Sequence, residues 1–208
     1  MQIHVGINAK NRNSFLKQLE SAKEFLPPKT WLHIDVSDPK FSSIKSYFSA
    51  TDLKKYSPRF NFEAHLMVPD KKISEYFKKP LKKIFVHISV IKDWALFIKE
   101  AKKTKISLGV VIGVSEEKYK DEIPKSIKSI MVLAVTPGPS GQKFGKKSLE
   151  LISFLRKKYP HATISIDGGI TPQVAKEVKR AGADVIISTS YIWNSKNPLK
   201  AYKELKAT

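Results

Sequence analysis

Apolar and polar positions along the chain follow two alternating periods. Short β-branched runs, with like side chains two residues apart, precede longer stretches with apolar positions three and four apart. The short runs predict strands at 2–7, 31–36, 61–66, 83–88, 106–112, 129–135, 162–166 and 184–188. The longer stretches predict helices near 13–26, 43–50, 70–78, 91–103, 115–121, 145–158, 172–181 and 197–206. Pro69, Pro172 and Pro198 stand near helix starts and Gly182 just past a helix end, where proline and glycine punctuate helices. Eight strands alternating with eight helices argue for a parallel sheet covered by helices, and eight such units for a closed (β/α)8 TIM barrel. At about 26 residues per unit the barrel would be compact. No linker, low-complexity segment or change in composition interrupts the pattern, so residues 1–208 are expected to form one domain.

Four polar side chains break this apolar pattern. In "WLHIDVSD" (31–38), His33 and Asp35 lie two residues apart and so share a strand face, while Leu32, Ile34 and Val36 take the other. A buried, unpaired carboxylate costs several kcal/mol or more, so that face needs a partner. Barrel active sites form at the C-terminal ends of the strands. At those ends the sequence places His33 and Asp35 on the second strand, His65 on the third and Asp167 on the seventh. Two imidazoles and two carboxylates suit one divalent ion of zinc, iron, manganese or cobalt. Each residue alone has a plainer role. A strand-end histidine can be a partly exposed core residue, as expected for His4 and His161, and Asp167 can form a turn. The joint placement on three strand ends favours the metal. The loops "TPGPSGQKF" (136–144) and "DGGIT" (167–171), with "STSYIW" (188–193), could turn backbone N–H groups toward an anion; the alternative is ordinary tight turns.

Composition narrows the setting. The chain carries 38 Lys and Arg against 19 Asp and Glu, a net charge of +19, which attracts anions in general. Only Arg12, Arg59, Arg156 and Arg180 are arginines, and the lysines are scattered in ones and twos. That is the pattern of a solvated surface more than of a nucleic-acid stripe, and it argues against nucleic acid as a principal partner. There is no cysteine, which excludes disulfides and thiolate metal sites. No run of eighteen apolar residues and no export signal is visible, so a soluble, cytoplasmic protein with no membrane partner is expected.

"LHIDVSD", "EAHLMV", "VTPGPSGQKF", "SIDGGIT" and "AGADVIISTSYIW" occur in the order of the motifs of the ribulose-phosphate 3-epimerase family, which the chain resembles from about residue 31 to 193. The resemblance implies a TIM barrel that uses one divalent metal to invert carbon 3 of a ketose phosphate. It implies His33, Asp35, His65 and Asp167 as metal ligands, with Asp35 and Asp167 doubling as the two acid/base carboxylates. One carboxylate would remove the carbon 3 proton and the other return one to the opposite face, through an enediolate the metal stabilises. Substrate would meet Asn8, His65, Met67, Gly138, Ser140, Gly141, Gly168, Gly169, Thr189 and Ser190, with phosphate on the backbone amides of the three loops. A homo-oligomer is also implied.

Departures from the family pattern cluster around the sugar. Asn8 is the nearest counterpart of the family's N-terminal serine, Met67 is retained, and Ser37 and Leu133 replace two methionines. The loop after Asp38 reads "DPKFSS", the phosphate loop carries Pro139-Ser140, and the strand-eight Gly-Ser becomes Thr189-Ser190. Strand five ends "VIGVSEE", and strand four keeps His87 but has Ser89 where a glutamate is usual. The expected substrate pair is D-ribulose 5-phosphate and D-xylulose 5-phosphate. The alternatives are a related hexulose phosphate, or a non-catalytic barrel that binds a phospholigand or RNA. The D-x-K-x-x-D pattern of phosphosugar synthases and decarboxylases on similar barrels is missing.

Overall fold

The computed structural model describes residues 1–208. Eight parallel strands close into a barrel in chain order: β1 (Gln2–Ile7), β2 (Trp31–Ser37), β3 (Asn61–Met67), β4 (Leu81–His87), β5 (Ser107–Gly113), β6 (Ser129–Leu133), β7 (Thr163–Asp167) and β8 (Val185–Ser188). Seven α-helices lie between or after them: α1 (Arg12–Phe25), α2 (Ala50–Lys54), α3 (Trp94–Thr104), α4 (Lys147–Lys158), α5 (Pro172–Ala181), α6 (Ser190–Trp193) and α7 (Pro198–Lys206). The TIM barrel expected from the alternation is present, and Pro172 and Pro198 open α5 and α7 as expected.

Three predicted helices differ. The stretches near 70–78 and 115–121 form 3-10 helices, Asp70–Tyr76 and Val114–Tyr119. The stretch near 43–50 is not helical, and α2 starts only at Ala50. Its serines explain this. The Ser46 hydroxyl donates to the Asp35 carbonyl (2.7 Å) and accepts from the Ser37 N–H (2.8 Å), tying the segment across the end of β2. Serine bonds of this kind compete with helix formation. The two plain histidines also differ from expectation. His4 is fully enclosed rather than partly exposed, and His161 is exposed ahead of β7.

Outward strand residues meet the helices in one continuous apolar layer that includes Ile34, Leu66, Ile84, Val110 and Ile166. Inward residues divide in two. Phe85, Val111, Met131, Leu133 and Ile187, from β4, β5, β6 and β8, form a separate apolar cluster. Gly109 makes room for it, since a Cβ there would lie 2.5 Å from the Phe85 ring. On the other side, β1, β2, β3 and β7 direct His4, His33, Asp35, Glu63, His65 and Asp167 inward, and Lys83 and His87 of β4 reach this group from either side of Phe85.

Candidate metal and substrate site

Strand register brings the polar side chains together. His33 pairs with Glu63 and Asp35 with His65 across β2 and β3, while Asp167 sits opposite Leu133 at the end of β7. Ligand atoms of His33, Asp35, His65 and Asp167 all lie within 4.8 Å of one another. The four residues expected to converge therefore do so, at the C-terminal mouth of the barrel.

The hydrogen bonds show which atoms are free. Glu63 Oε1 accepts from Nδ1–H of both His4 (2.7 Å) and His33 (2.8 Å). A carboxylate only accepts, so His33 carries its proton on Nδ1 and, when neutral, presents a lone pair at Nε2. His33 Nε2, Asp35 Oδ1 and His65 Nδ1 are all buried without a hydrogen-bond partner. Buried polar atoms are rarely left alone. Here three of them, one from each of three ligand candidates, face one another: His65 Nδ1 is 3.3 Å and His33 Nε2 is 3.7 Å from Asp35 Oδ1. A divalent cation is what this donor set fits.

The electrostatics agree. Burial raises Asp35 and Asp167 above the usual carboxylate range, and the Asp35 charge raises Asp167 further. Two such carboxylates side by side resist joint ionisation until a positive charge arrives. Burial lowers His65 well below the usual imidazole range, and neighbouring His87 and His33 add to this, so its ring is neutral. Burial also acts to lower His33, but Glu63, Asp35 and Asp167 outweigh it and raise the ring to about 9. The centre thus attracts positive charge, whether as a proton or as a metal ion.

Above these groups lies a pocket whose lining holds every expected substrate residue: Asn8, His65, Met67, Gly138, Ser140, Gly141, Gly168, Gly169, Thr189 and Ser190, with Asp35 and Asp167 in its floor. His33 lies beneath it, fully buried. The glycine turn after β7 is demanded by contact: Gly169 has φ +67°, and a Cβ there would come 2.4 Å from the Phe144 nitrogen. The pocket lining contains no lysine or arginine, so the chain's +19 charge lies elsewhere.

Two carboxylates emerge that the sequence reading did not single out. Glu63 lies two residues before His65, the same spacing that linked His33 and Asp35, so strand alternation could have found it. Burial acts to raise its carboxyl, but His4 and His33 hold it well below the usual range. Glu116 comes from the 3-10 helix after β5 and reaches His87; no local pattern announces it. Its carboxylate accepts from His87 Nδ1–H (3.0 Å), from the Gly113 N–H (2.9 Å) and from the Ser89 hydroxyl.

The sequence model of the ribulose-phosphate 3 epimerase family matches residues 2–193. The chain belongs to that family. Its relatives include the cytoplasmic isoform of ribulose-phosphate 3-epimerase from Oryza sativa subsp. japonica, 29% identical over 85% of this chain and 81% of that protein. The ribulose-phosphate 3-epimerase of Aquifex aeolicus is 30% identical over 85% of this chain and 83% of its own length. Among solved structures, 3-hexulose-6-phosphate synthase from Salmonella typhimurium superposes with a TM-score of 0.70, covering 100% of this chain and 97% of that one, at 15% identity. At that identity the likeness extends to the barrel alone. Membership makes the protein an isomerase of the epimerase type. No helix is long and apolar enough to cross a membrane.

Proposed function

We propose that this family member interconverts D-ribulose 5-phosphate and D-xylulose 5-phosphate by inverting carbon 3. The observation that carries the reading is the group of three partnerless buried atoms on His33, Asp35 and His65, converging with Asp167 on the floor of the glycine-lined pocket. His33, Asp35, His65 and Asp167 hold one divalent ion, of zinc, iron, manganese or cobalt. Bound there, a divalent ion would supply Lewis-acid stabilisation for the negative charge that develops when the carbon 3 proton leaves.

The side chains do the rest. Asp35 and Asp167 are the acid/base pair, one ionised to take the carbon 3 proton and the other protonated to deliver one to the opposite face. Burial raises both carboxyls, and the Asp35 charge raises Asp167 further, so the two differ in how readily they ionise. Met67 lies against the reacting carbons. With no cationic side chain in the lining, the phosphate is held by backbone N–H groups near Gly138–Gly141, Gly168–Gly169 and Thr189–Ser190.

A hexulose phosphate is the competing substrate. The observation favouring it is Ser37, which is smaller than methionine and directs its hydroxyl at the Met67 sulfur (3.8 Å) beside the pocket. The deciding experiment is hydrogen exchange at carbon 3 in D₂O, followed by NMR, with and without a chelator. Chelator-sensitive exchange of ribulose 5-phosphate with formation of xylulose 5-phosphate is expected. Metal-loaded protein that exchanges only a hexulose phosphate would move the assignment to that sugar, and one that exchanges neither would overturn the epimerase reading.

A further inference from the structure

His33 and His65 are both candidate ligands, but their free nitrogens are set in different ways. Glu63 accepts directly from His33. His65 has no carboxylate on its outer nitrogen; its Nε2 lies 2.9 Å from His87 Nε2. Two neutral imidazoles cannot both donate across such a contact, so one ring carries the proton there and the other accepts. The far side of His87 decides which. Its Nδ1 is 3.0 Å from Glu116 Oε2, and a carboxylate accepts only. His87 therefore holds its proton on Nδ1 and offers a lone pair at Nε2. His65 must then donate from Nε2, which leaves the lone pair of His65 on Nδ1. That is the partnerless atom facing Asp35.

We propose that Glu116 is a positioning residue for this site: acting through His87, it fixes the tautomer of His65 that leaves Nδ1 free to bind a metal ion. The inference rests on the reading of His65 as a ligand. It concerns a residue 51 positions away in the chain, on a different strand's loop. Glu116 is itself held for this task. Gly113 N–H and the Ser89 hydroxyl both donate to its carboxylate. Burial acts to raise the carboxyl, yet His87 and these donors outweigh it and lower it to about 2, so it stays an ionised acceptor. The Phe41 ring, 4.8 Å from His87, covers the same imidazole. Partners that orient a ligand histidine commonly govern metal affinity about 10–100-fold.

Two readouts test this, and neither is activity. The first is histidine ¹⁵N NMR on metal-free protein. His65 is expected as the Nε2–H tautomer in the wild type and as a mixture in Glu116→Ala. The second is Co²⁺ affinity by competition with a chromophoric chelator, for wild type, Glu116→Ala, His87→Phe and the double variant. Glu116→Ala is expected to bind Co²⁺ about 10-fold more weakly. His87→Phe keeps a ring against Phe41 but removes the relay, so adding Glu116→Ala to it is expected to cost nothing further. Additive losses, or a wild-type His65 protonated on Nδ1, would overturn the proposal. If Glu116→Ala failed to fold, the tautomer in His87→Phe would still decide, because an unchanged His65 there removes any role for the relay. Wild-type protein with the expected tautomer but no affinity for Co²⁺ would instead refute the metal-site reading while leaving the relay in place.

Discussion

The two halves of the barrel interior are built on opposite principles. On β4, β5, β6 and β8, Phe85, Val111, Met131, Leu133 and Ile187 fill space with apolar volume. On β1, β2, β3 and β7, His4, His33, Asp35, Glu63, His65 and Asp167, joined by Lys83 and His87 from either side of Phe85 on β4, fill it with polar and charged groups. One half supplies stability from close packing. The other holds Asp35 and Asp167 above, and His65 below, their usual ranges, which is how proteins tune acid/base residues and metal ligands. Substitutions in the two halves should therefore fail differently.

The largest effect is expected from Asp167→Asn. The carboxylate is one of the two proposed proton carriers, and general acid/base groups contribute about 10²–10⁴-fold to rate. Turnover of ribulose 5-phosphate should fall by that amount. Folding should be nearly untouched, because the amide keeps the shape and sheds a carboxyl whose ionisation burial already opposes. Steady-state kinetics beside a thermal melt checks both. Turnover within a few-fold of wild type would refute the two-carboxylate mechanism.

Phe85→Ala should do the reverse. The ring is fully buried and fills the space that Gly109 leaves open. Removing a buried phenylalanine costs about 3–5 kcal/mol, as lost transfer energy plus a cavity. The denaturant midpoint should fall sharply, while the folded fraction keeps its ability to bind metal, since Phe85, although its ring centroid is 6.1 Å from that of His33, supplies no ligand atom. A variant of unchanged stability that lost metal binding would erase the distinction between the halves.

Much of this division is legible in the sequence alone. Strand alternation placed His33 beside Asp35, and the barrel rule gathered His65 and Asp167 at the same mouth. Both arguments depend only on period and chain order, which sequence carries directly. The 43–50 segment reads as a helix because Ile44, Tyr47 and Phe48 have helical spacing. Its conformation is decided by Ser46 bonding to the end of β2, a tertiary contact that spacing does not encode. Glu116 was illegible for a related reason. It acts through His87, from a loop whose position depends on the packing of β4 against β5. Glu63, by contrast, was within reach of the same alternation that exposed Asp35.

The smallest of these effects, and the one that most sharpens the contrast, is expected at Glu63. A single oxygen, Oε1, accepts from both His4 and His33, while Oε2 has no hydrogen-bond partner and lies 3.8 Å from the Lys83 ammonium. Glu63→Gln can therefore keep both hydrogen bonds through its amide oxygen while removing the negative charge. The His33 tautomer should persist, because the neutral acceptor still requires a proton on Nδ1. What changes is the basicity of His33 toward a cation, since a carboxylate strengthens a ligand histidine more than an amide does. Metal affinity should fall about 10-fold, near the lower end of what such partners govern. Stability should fall by about 1–3 kcal/mol, since both charged hydrogen bonds become neutral and the amide N–H₂ takes the place of Oε2 beside the Lys83 ammonium with no acceptor. Metal competition and a denaturation curve measure the two together. Equal affinity in the variant would mean that Glu63 serves the centre by geometry alone, and that the polar half is arranged by hydrogen bonds and not by charge.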